Sequence, residues 1–454
     1  MPPSRSRRPE NPTNPPQQPE TRQPAPRPGP RPLPLHLATA NLILLSSLAA
    51  WPSVKLGWPL WKPPDNSPGS NPGSSADALR QSLATLPSDV FAKALAEEAF
   101  SRLTALNGGI QAYRDTPYRR PPDSAPVLLT EGSARVLDLG RHYGSDGLPV
   151  LMVPSLVNRH YVLDLAPGQS PDQGPNQGPN QGQSLAQYLA RRGLRPLLVD
   201  WGEPGEAELR FDLTAYIARI ARWLRRLKRE TGKPPLLLGY CMGGNLALAA
   251  ALQAPQAVAG LALLATPWDF HAGGAHQAAL VKSLAPILAP PPAQEGETPT
   301  AMAVDMLQTF FWALDPLTAL KKFNQFSRLE PESDAAQRFV AMEDWLNDGI
   351  PLAGPVAREC LLQWYGENTP AREKWLVGGK PVQPGLWRKP AIVVLPERDK
   401  LVPKAGAEAL WRALPDAQRH DAPSGHIGMV VGPRAEAGLW QPLADWLLAA
   451  AKPA

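Results

Sequence analysis

The sequence predicts an α/β fold, in which a mostly parallel sheet is flanked by helices, and two observations support this prediction. Short apolar runs typical of buried strands alternate with helical stretches from about residue 150 to residue 264, and the alternation resumes after residue 390. A helical, tryptophan-rich stretch separates these two parts. A strand–helix–strand order favours parallel pairing, because the helix must cross over the sheet.

The expected elements follow the chain in a regular order. Strands are expected at 150–153, 197–199, 236–238, 261–264, 391–395 and 418–422, after a β-hairpin at 127–139. Helices are expected at 76–113, 184–192, 213–227, 245–252, 405–414 and 439–450. Val90 and Phe100 are among the expected contacts of the first helix. In the helix at 213–227, leucine and isoleucine line one face and arginine the other, as in a helix that packs on a core.

The composition divides the chain into four parts. Residues 1–75 are a Pro/Arg-rich tail, predicted to be disordered through residue 34, with a short apolar segment at 33–60. Residues 76–270 and 371–454 are the two parts of the sheet-containing core, and residues 271–370 are an inserted helical cap. A Gly/Pro/Asn/Gln-rich insertion between Leu165 and Ser184 is expected to be a surface loop.

The apolar segment at 33–60 is interrupted by polar residues and Pro52, so no transmembrane span is expected there. It is predicted to form a helix that docks on the body or lies on a hydrophobic surface, with docking slightly favoured.

Charge and cysteine content exclude several functions. The formal charge is +5 over 454 residues, and much of the excess is arginine in the tail, so no nucleic-acid partner is predicted. Two cysteines exclude a disulfide framework and favour a reducing, cytoplasmic compartment. Seven histidines without clustered Cys/His spacing argue against a metal site.

A nucleophile-elbow pattern, Gly-x-Cys-x-Gly, stands between a predicted strand and a predicted helix. Cys241 is the candidate nucleophile, and such a tight turn needs small neighbours, which Gly239, Gly243 and Gly244 supply. The helix N-terminus would lower the thiol pKa and direct the N–H of Met242 at a developing oxyanion. The alternative is a buried cysteine in a small-residue turn, which is the favoured interpretation of Cys360.

A cysteine nucleophile needs a base and an orienting carboxylate, and the order nucleophile, acid, histidine is that of the α/β-hydrolase fold. Asp399 follows the strand at 391–395, and His426 lies in a glycine-flanked loop after the next strand. Glu397 is the closest rival of the acid. Three other histidines follow the elbow and are weaker candidates for the base: His271, His276 and His420. The loop after the strand at 150–153 should give the second oxyanion donor, for which Leu156 is the choice.

Several stretches, in order over roughly residues 145–450, are similar to the polyhydroxyalkanoate synthases, especially the catalytic subunit of the short two-subunit type. They are Val153 to Leu165 (with Asn158-Arg159), Val199 to Pro204 (with Asp200-Trp201-Gly202), the elbow, Thr266 to Phe270, Glu343 to Leu346, Asp399 to Pro403 and Gly425 to Gly428. The resemblance implies a polymerase of (R)-3-hydroxyacyl-CoA without a cofactor, in which Cys241 carries the acyl group, His426 is the general base and Asp399 assists the chain hydroxyl or orients His426. Lys400 departs from the family, which usually has histidine at this position.

The resemblance also implies partners and a location: the polyester chain and granule surface, a homo-oligomer or second synthase subunit, and the cytoplasm. Two alternatives stay open. One is a hydrolase on the same scaffold, either a thioesterase or an intracellular polyhydroxyalkanoate depolymerase, because fold and triad do not decide whether water or a hydroxyacyl chain reaches the acyl-enzyme. The other is a non-catalytic granule-associated protein.

Overall fold

A mixed sheet forms the centre of the molecule in the computed structural model, which describes residues 27–55, 82, 85–165 and 184–451. The strands in this part of the chain are β1 Val127–Glu131, β2 Ala134–Asp138, β3 Leu148–Val153, β4 Leu194–Asp200, β5 Leu236–Tyr240, β6 Leu261–Leu264, β7 Leu376–Val377, β8 Lys380–Pro381, β9 Ala391–Pro396 and β10 Gln418–Ala422. Eight of them form one sheet in the order β1-β2-β4-β3-β5-β6-β9-β10, and β7 pairs with β8 separately. β2 is antiparallel to β1 and β4, whereas the pairs β4–β3, β3–β5, β5–β6, β6–β9 and β9–β10 are parallel.

Helices surround this sheet and extend beyond it. The α-helices are α1 Leu33–Lys55, α2 Ser88–Asp115, α3 Leu139–His142, α4 Leu185–Arg191, α5 Leu213–Thr231, α6 Met242–Gln253, α7 Ala275–Leu288, α8 Val304–Leu314, α9 Thr318–Phe326, α10 Asp334–Asn347, α11 Gly354–Arg358, α12 Lys404–Ala413, α13 Gly428–Val431 and α14 Gln441–Ala450. Two π-helical segments, Glu359–Gly366 and Glu436–Trp440, continue α11 and precede α14.

The two faces of the sheet are buried in two separate cores, as β3 shows. Successive side chains of a strand point to opposite faces. Leu151 and Val153 pack in the core that contains the apolar faces of α5 and α6, whereas Val150 and Met152 pack in the core that contains those of α4 and α14. The prediction of a mostly parallel sheet with helices on both faces is therefore confirmed.

Helix α5 illustrates how local sequence sets an element. The Asp212 side chain accepts the N–H of Ala215 at 2.9 Å, which caps the first turn, and Gly232 ends the helix with φ 70°. The apolar face is buried as predicted. Arg219 departs from the polar face: it is buried and donates to the carboxylate of Glu208 at 3.0 Å, which gives its charge a partner.

The cap is inserted between two strands that pair with each other. Helices α7 to α11 and the π-helical segment lie between β6 and β9 in the chain, yet β6 and β9 are hydrogen-bonded neighbours. Apolar cap residues such as Phe310, Leu361 and Trp364 belong to the same core as Leu263 and Val393 of the sheet. The predicted helical insertion is confirmed, and it packs on the sheet without interrupting it.

Residues 27–34 differ from the predicted disordered tail. Arg27 is buried, its Nε lies 2.6 Å from Oδ1 of Asp344 in the cap, and it donates to the Thr116 carbonyl at 2.6 Å. A buried guanidinium with a carboxylate and carbonyl partners holds the backbone around it in place, which overrides the unfavourable local composition. Residues 1–26 and 56–75 of the predicted tail lie outside the described residues.

The apolar segment forms α1, which docks through one side only. Ala40 and Leu44 pack in a core with α2 and α9, whereas Leu42 and Leu45 are exposed. Leu33–Ala50 is long and apolar enough to cross a membrane by length and composition alone, a test that core helices and signal sequences also pass. The expected absence of a transmembrane span stays a prediction.

Helix α2 contacts the body through its C-terminal half. Val90 and Phe100, predicted as contacts, are exposed, and the buried side chains are instead those of Leu106, Ile110 and Tyr113. Because both side chains are exposed, those two predictions are wrong. The insertion at 166–183, predicted to be a surface loop, lies outside the described residues.

Candidate active site

The strand-to-helix turn holds Cys241 in a strained backbone conformation. β5 ends at Tyr240, α6 begins at Met242, and Cys241 between them has φ 55° and ψ −130°. A non-glycine residue keeps a positive φ only where its surroundings impose it. The Cys241 N–H donates to the Leu264 carbonyl of β6 at 2.8 Å, which ties the turn to the sheet. The thiol is thereby placed at the carboxyl edge of the parallel strands.

Each of the three predicted elbow glycines stands where a side chain would collide with a neighbour. A Cβ on Gly239 would lie 2.4 Å from the Cα of Gly244, and one on Gly243 would lie 2.1 Å from the Val153 carbonyl oxygen. A Cβ on Gly244 would lie 1.8 Å from Oγ1 of Thr266. Since all these distances are far inside van der Waals contact, the turn requires glycine at the three positions.

Asp399 and His426 form a buried pair on the loops that follow β9 and β10. Oδ2 of Asp399 lies 2.6 Å from Nδ1 of His426, and the carboxylate is fully buried. Oδ1 of Asp399 accepts the N–H of Leu401 at 2.8 Å and that of Val402 at 2.9 Å. Because Nδ1 faces the carboxylate, Nε2 is the ring nitrogen that remains for Cys241, which also acts on the pKa of His426. The structure thus brings Asp399, His426 and Cys241 into one row, in which Asp399 and His426 are hydrogen-bonded and Cys241 interacts with His426.

The charges around His426 favour its protonated form. Burial disfavours an imidazolium, but the neighbouring Asp399 and Cys241 side chains outweigh this effect and raise the pKa of His426. The Tyr240 hydroxyl donates to the His426 carbonyl at 3.1 Å, and the two ring centroids lie 5.1 Å apart, so Tyr240 fixes the histidine loop. The arrangement therefore favours an imidazolium at His426, next to the candidate nucleophile Cys241.

The turn after β3 lies beside the elbow, where the second oxyanion donor is predicted. Leu156 is buried in this turn, and its neighbours Ser155 and Val157 line a cavity together with Cys241 and Met242. The Val157 N–H donates to Oγ of Ser155 at 3.3 Å and is therefore engaged. Met242 opens α6, and the N–H groups in the first turn of a helix have no intrahelical partner. The oxyanion roles of Leu156 and Met242 stay predictions.

Hydrogen bonds tie the turn after β3 to the cap and to the loop after β4. Nε1 of Trp201 donates to the Pro154 carbonyl at 3.1 Å. Nε1 of Trp345 donates to the Arg159 carbonyl at 2.8 Å, and Nδ2 of Asn158 donates to the Trp345 carbonyl at 3.4 Å. These residues come from three of the stretches that carry the family resemblance, and their shared effect is to fix the wall of the site.

An apolar cavity opens at Cys241 beneath the cap. Cap residues supply most of its wall: Met302, Leu307, Phe310, Phe311, Leu352, Leu361, Trp364 and Tyr365. Cys360 also lines this cavity and is buried, in agreement with its predicted core position. The sequence did not assign these wall residues. The aromatic-rich composition of the cap was the available signal, and it does not say which side chains face the thiol.

The structure separates Asp399 and His426 from their sequence rivals. Glu397 is exposed, and within the described residues it makes no hydrogen bond with His426. Nε2 of His420 contacts the Gly438 carbonyl at 2.7 Å, and Nε2 of His271 contacts the carbonyl of Tyr365 at 2.8 Å. The side chain of His276 lies outside the described part of the chain. His420 and His271 are therefore occupied elsewhere.

Lys400, the departure from the family pattern, points to the cap. Its Nζ lies 2.7 Å from Oδ2 of Asp315, and its side chain is largely exposed. This contact leaves the Asp399–His426 pair intact. Across the described residues, no group of three or more His, Cys, Asp or Glu side chains is arranged to hold a metal ion. The expectation of no cofactor stays a prediction.

The comparison with protein families identifies the class of this chain. Residues 149–433, well over half of the chain, match the α/β-hydrolase fold family, and the match includes the elbow, Asp399 and His426. The chain belongs to that family.

Similar proteins indicate which kind of α/β-hydrolase-fold protein this chain resembles. The chain is 27% identical over 369 residues to the poly(3-hydroxyalkanoate) polymerase subunit PhaC of Haloferax mediterranei, across 77% of this chain and 68% of that relative. It is 26% identical over 307 residues to the subunit of the same name from Haloarcula marismortui (66% and 61% of the two chains). It is 28% identical over 320 residues to the subunit of the same name from Synechocystis sp. (66% and 77% of the two chains). These relatives confirm the resemblance to the polyhydroxyalkanoate synthases and the prediction of an enzyme, an acyltransferase of that kind.

Proposed function

We propose that this chain polymerises (R)-3-hydroxyacyl-CoA into polyester with release of CoA, through an acyl group carried on Cys241. The observation that carries the proposal is the row of Asp399, His426 and Cys241 at the edge of an α/β-hydrolase sheet, in which Asp399 and His426 are hydrogen-bonded. The similarity to polymerase subunits supports polymerisation over hydrolysis on this scaffold.

In the first half of the reaction, the Cys241 thiol gives its proton to His426 while its sulfur attacks the thioester carbonyl carbon, and a tetrahedral oxyanion forms. The backbone N–H groups of Met242 and Leu156 are the assigned oxyanion donors. The carbon–sulfur bond to CoA then breaks, and the leaving thiolate takes the proton of the His426 imidazolium. The raised pKa of His426 suits this step, because it keeps the proton available until the leaving group needs it.

In the second half, the hydroxyl of the next hydroxyacyl unit or of the growing chain gives its proton to His426 while its oxygen attacks the acyl-cysteine carbonyl. The bond to Cys241 breaks, the thiolate returns, and the chain is longer by one ester unit. An acyl-cysteine is still a thioester, so it is reactive toward a hydroxyl. The apolar wall around Cys241 excludes water, whose attack would give hydrolysis instead.

This proposal also implies a place of work. The product is insoluble, so the enzyme would act in the cytoplasm at the surface of a polyester granule, as a homo-oligomer or with a second synthase subunit. Density-gradient sedimentation of cells that make the polymer tests this part: the protein is expected in the granule fraction, and its recovery only in the soluble fraction would contradict it.

The decisive experiment supplies purified protein with (R)-3-hydroxybutyryl-CoA and measures free CoA and products. Free CoA with insoluble polymer supports the proposal. Free CoA with soluble 3-hydroxybutyrate would make the protein a thioesterase, and release of soluble acids from added polyester would make it a depolymerase. Absence of CoA release from this substrate would favour a non-catalytic granule protein.

A further inference from the structure

Two cavities meet the catalytic row, and they differ in size and in the residues they touch. The apolar cavity of about 70 Å³ is lined by Cys241, and His426 is not among its lining residues within the described chain. A second cavity of about 370 Å³ is lined by His426 and Asp399, and Cys241 is not among the described residues that line it. Phe311 and Leu401 line both, so the cavities are neighbours.

We propose that residues 27–36 complete this second cavity as a binding site for the CoA part of the substrate, with Arg31 and Arg398 contacting its phosphates. The proposal rests on the proposed function. It assigns a ligand role to an N-terminal segment that precedes the residues matched to the hydrolase family.

The chemistry of acyl transfer indicates which part of the thioester substrate lies in each cavity. The acyl carbon must bond to the sulfur of Cys241, whereas the leaving sulfur must receive a proton from His426. A thioester at the site therefore has its acyl group on the Cys241 side and its leaving group on the His426 side. The leaving group is also much the larger of the two, and the cavity on its side is the larger one.

The charged lining of the second cavity suits a phosphorylated ligand. Its cationic side chains are Arg31, Lys322, Arg398 and Lys400, and its carboxylates are Asp315, Glu343 and Asp399. Asp399 is already paired with His426, and buried Glu343 with Lys322 at 2.6 Å. The remaining lining side chains carry a net positive charge, which complements the negative charge of the CoA phosphates.

Arg398 is the cation that is most available. It is exposed, it donates to the Pro423 carbonyl at 2.7 Å, and among the described residues it has no carboxylate partner. Arg31 pairs with Asp305 at 2.8 Å, but that carboxylate is 57% exposed. Ion pairs in contact with water contribute little, so a phosphate can compete for this guanidinium.

The segment 27–36 is held in position for this role. Arg27 anchors it to Asp344 of the cap, and the Arg31 N–H donates to Oδ1 of Asn347 at 3.0 Å. Pro30, Arg31 and His36 then form part of the cavity wall. The segment therefore presents Arg31 to the same cavity as the Arg398 loop, which immediately precedes the catalytic aspartate.

The test compares two thioesters of (R)-3-hydroxybutyrate, one with CoA and one with N-acetylcysteamine, which lacks the phosphates. Guanidinium–phosphate contacts are charge-assisted, so Arg398→Ala should lower kcat/KM for the CoA thioester about tenfold to a hundredfold, mainly through KM. Arg31→Ala should lower it in the same direction. For the N-acetylcysteamine thioester, both variants should change kcat/KM less than about threefold.

Three controls make the outcome decisive. Arg412→Ala removes an exposed arginine of α12 that is not a lining residue, and it should leave both thioesters unaffected. Arg398→Lys keeps a charge and should restore part of the preference for CoA, and thermal melting shows that each variant is folded. Equal losses on both thioesters would overturn this proposal while leaving the polymerase intact. A wild type that releases thiol from neither thioester would overturn the proposed function itself.

Discussion

The elbow at Cys241 and the cap helix at Cys360 place the same side chain at the same cavity in opposite chemical settings. Cys241 is half-buried, has a positive φ and interacts with a histidine whose pKa is raised. Cys360 is buried in a π-helical segment, where burial and the neighbouring charge of Glu359 raise the pKa of its thiol. The reactivity of a cysteine therefore depends on its surroundings, and a position in a cavity wall does not by itself make the thiol reactive.

The difference originates in how each backbone is held. Close contacts between the elbow glycines and the sheet backbone fix the elbow. They place the thiol at the N-terminus of α6 and beside His426. The cap helix offers Cys360 apolar neighbours instead, and it belongs to the main core. This contrast can be tested by measuring CoA release, the rate of thiol alkylation and the free energy of unfolding.

The largest effect is expected for Cys241→Ala, which removes the sulfur that we propose carries the acyl group. CoA release from (R)-3-hydroxybutyryl-CoA should fall by about 10⁴-fold or more, since no other group on the row can form the covalent intermediate. Cys360→Ala, the matched change across the cavity, should stay within about threefold of wild type. A free-thiol assay measures both, and similar losses in the two variants would remove the distinction between the cysteines.

Cys241→Ser separates the two possible reactions. Serine is a weaker nucleophile beside this histidine, and its acyl-enzyme is an oxygen ester, a poorer donor to the next hydroxyl. Chain growth should therefore fall more than acylation, as measured by polymer mass against the burst of CoA release. Equal losses of both would indicate that acyl transfer to a hydroxyl is not the normal second step.

A somewhat smaller loss, about 10³-fold to 10⁴-fold, is expected for Asp399→Asn, since the carboxylate orients His426 and stabilises its charge. Without that charge the pKa of His426 falls toward its ordinary range, so the pH dependence of CoA release that reports His426 should shift to lower pH. Glu397→Gln is the control and should stay close to wild type. The reverse result would assign the acid to Glu397.

Thiol alkylation should separate the cysteines by about a hundredfold in rate, because iodoacetamide reacts with the thiolate. Cys241 should react first and be protected by the hydroxyacyl-CoA substrate, whereas Cys360 should react only when the protein unfolds. Peptide mass spectrometry after timed labelling measures both sites. Protection of Cys360 by substrate would contradict the elbow assignment.

The elbow is predictable from sequence because its causes are local. Gly239, Cys241, Gly243 and Gly244 lie within six residues, and the collisions that require glycine arise from the turn itself and from the strand and loop it must touch. The order of Cys241, Asp399 and His426 was sufficient to propose a triad, since parallel strands bring their C-terminal loops to one edge.

The N-terminal segment was not predictable in this way. Arg27 contacts Asp344, which is 317 residues away in the sequence. The composition of a proline- and arginine-rich stretch does not predict such a partner. Likewise, Phe100 fits the apolar pattern of α2 but is exposed, because only the C-terminal half of that helix meets α9 and the body. In both places long-range packing decides the outcome, and local composition is a weak guide to it.

Glu359, the neighbour of Cys360 in the cap, offers a test of stability on the Cys360 side of the contrast. Burial, assisted by the charge of Asp212, raises the pKa of Glu359 from 4.5 to about 7, although it accepts N–H groups from Trp375 at 3.0 Å and Leu213 at 3.2 Å. The folded state thus holds this proton more tightly than the unfolded state does. The stabilisation is fully present below pH 4.5 and is lost as pH rises to about 7.

Glu359→Gln keeps an acceptor oxygen without the charge, so it should remove that pH dependence. Relative to the variant, wild type should lose roughly 3 kcal/mol at most between pH 4.5 and pH 7, because one pKa unit corresponds to about 1.4 kcal/mol. Urea unfolding of both proteins at several pH values measures the difference. Glu373→Gln on the surface is the matched control and should leave the slope unchanged. Parallel stability curves for wild type and Glu359→Gln would show that Glu359 titrates alike in the folded and unfolded chain.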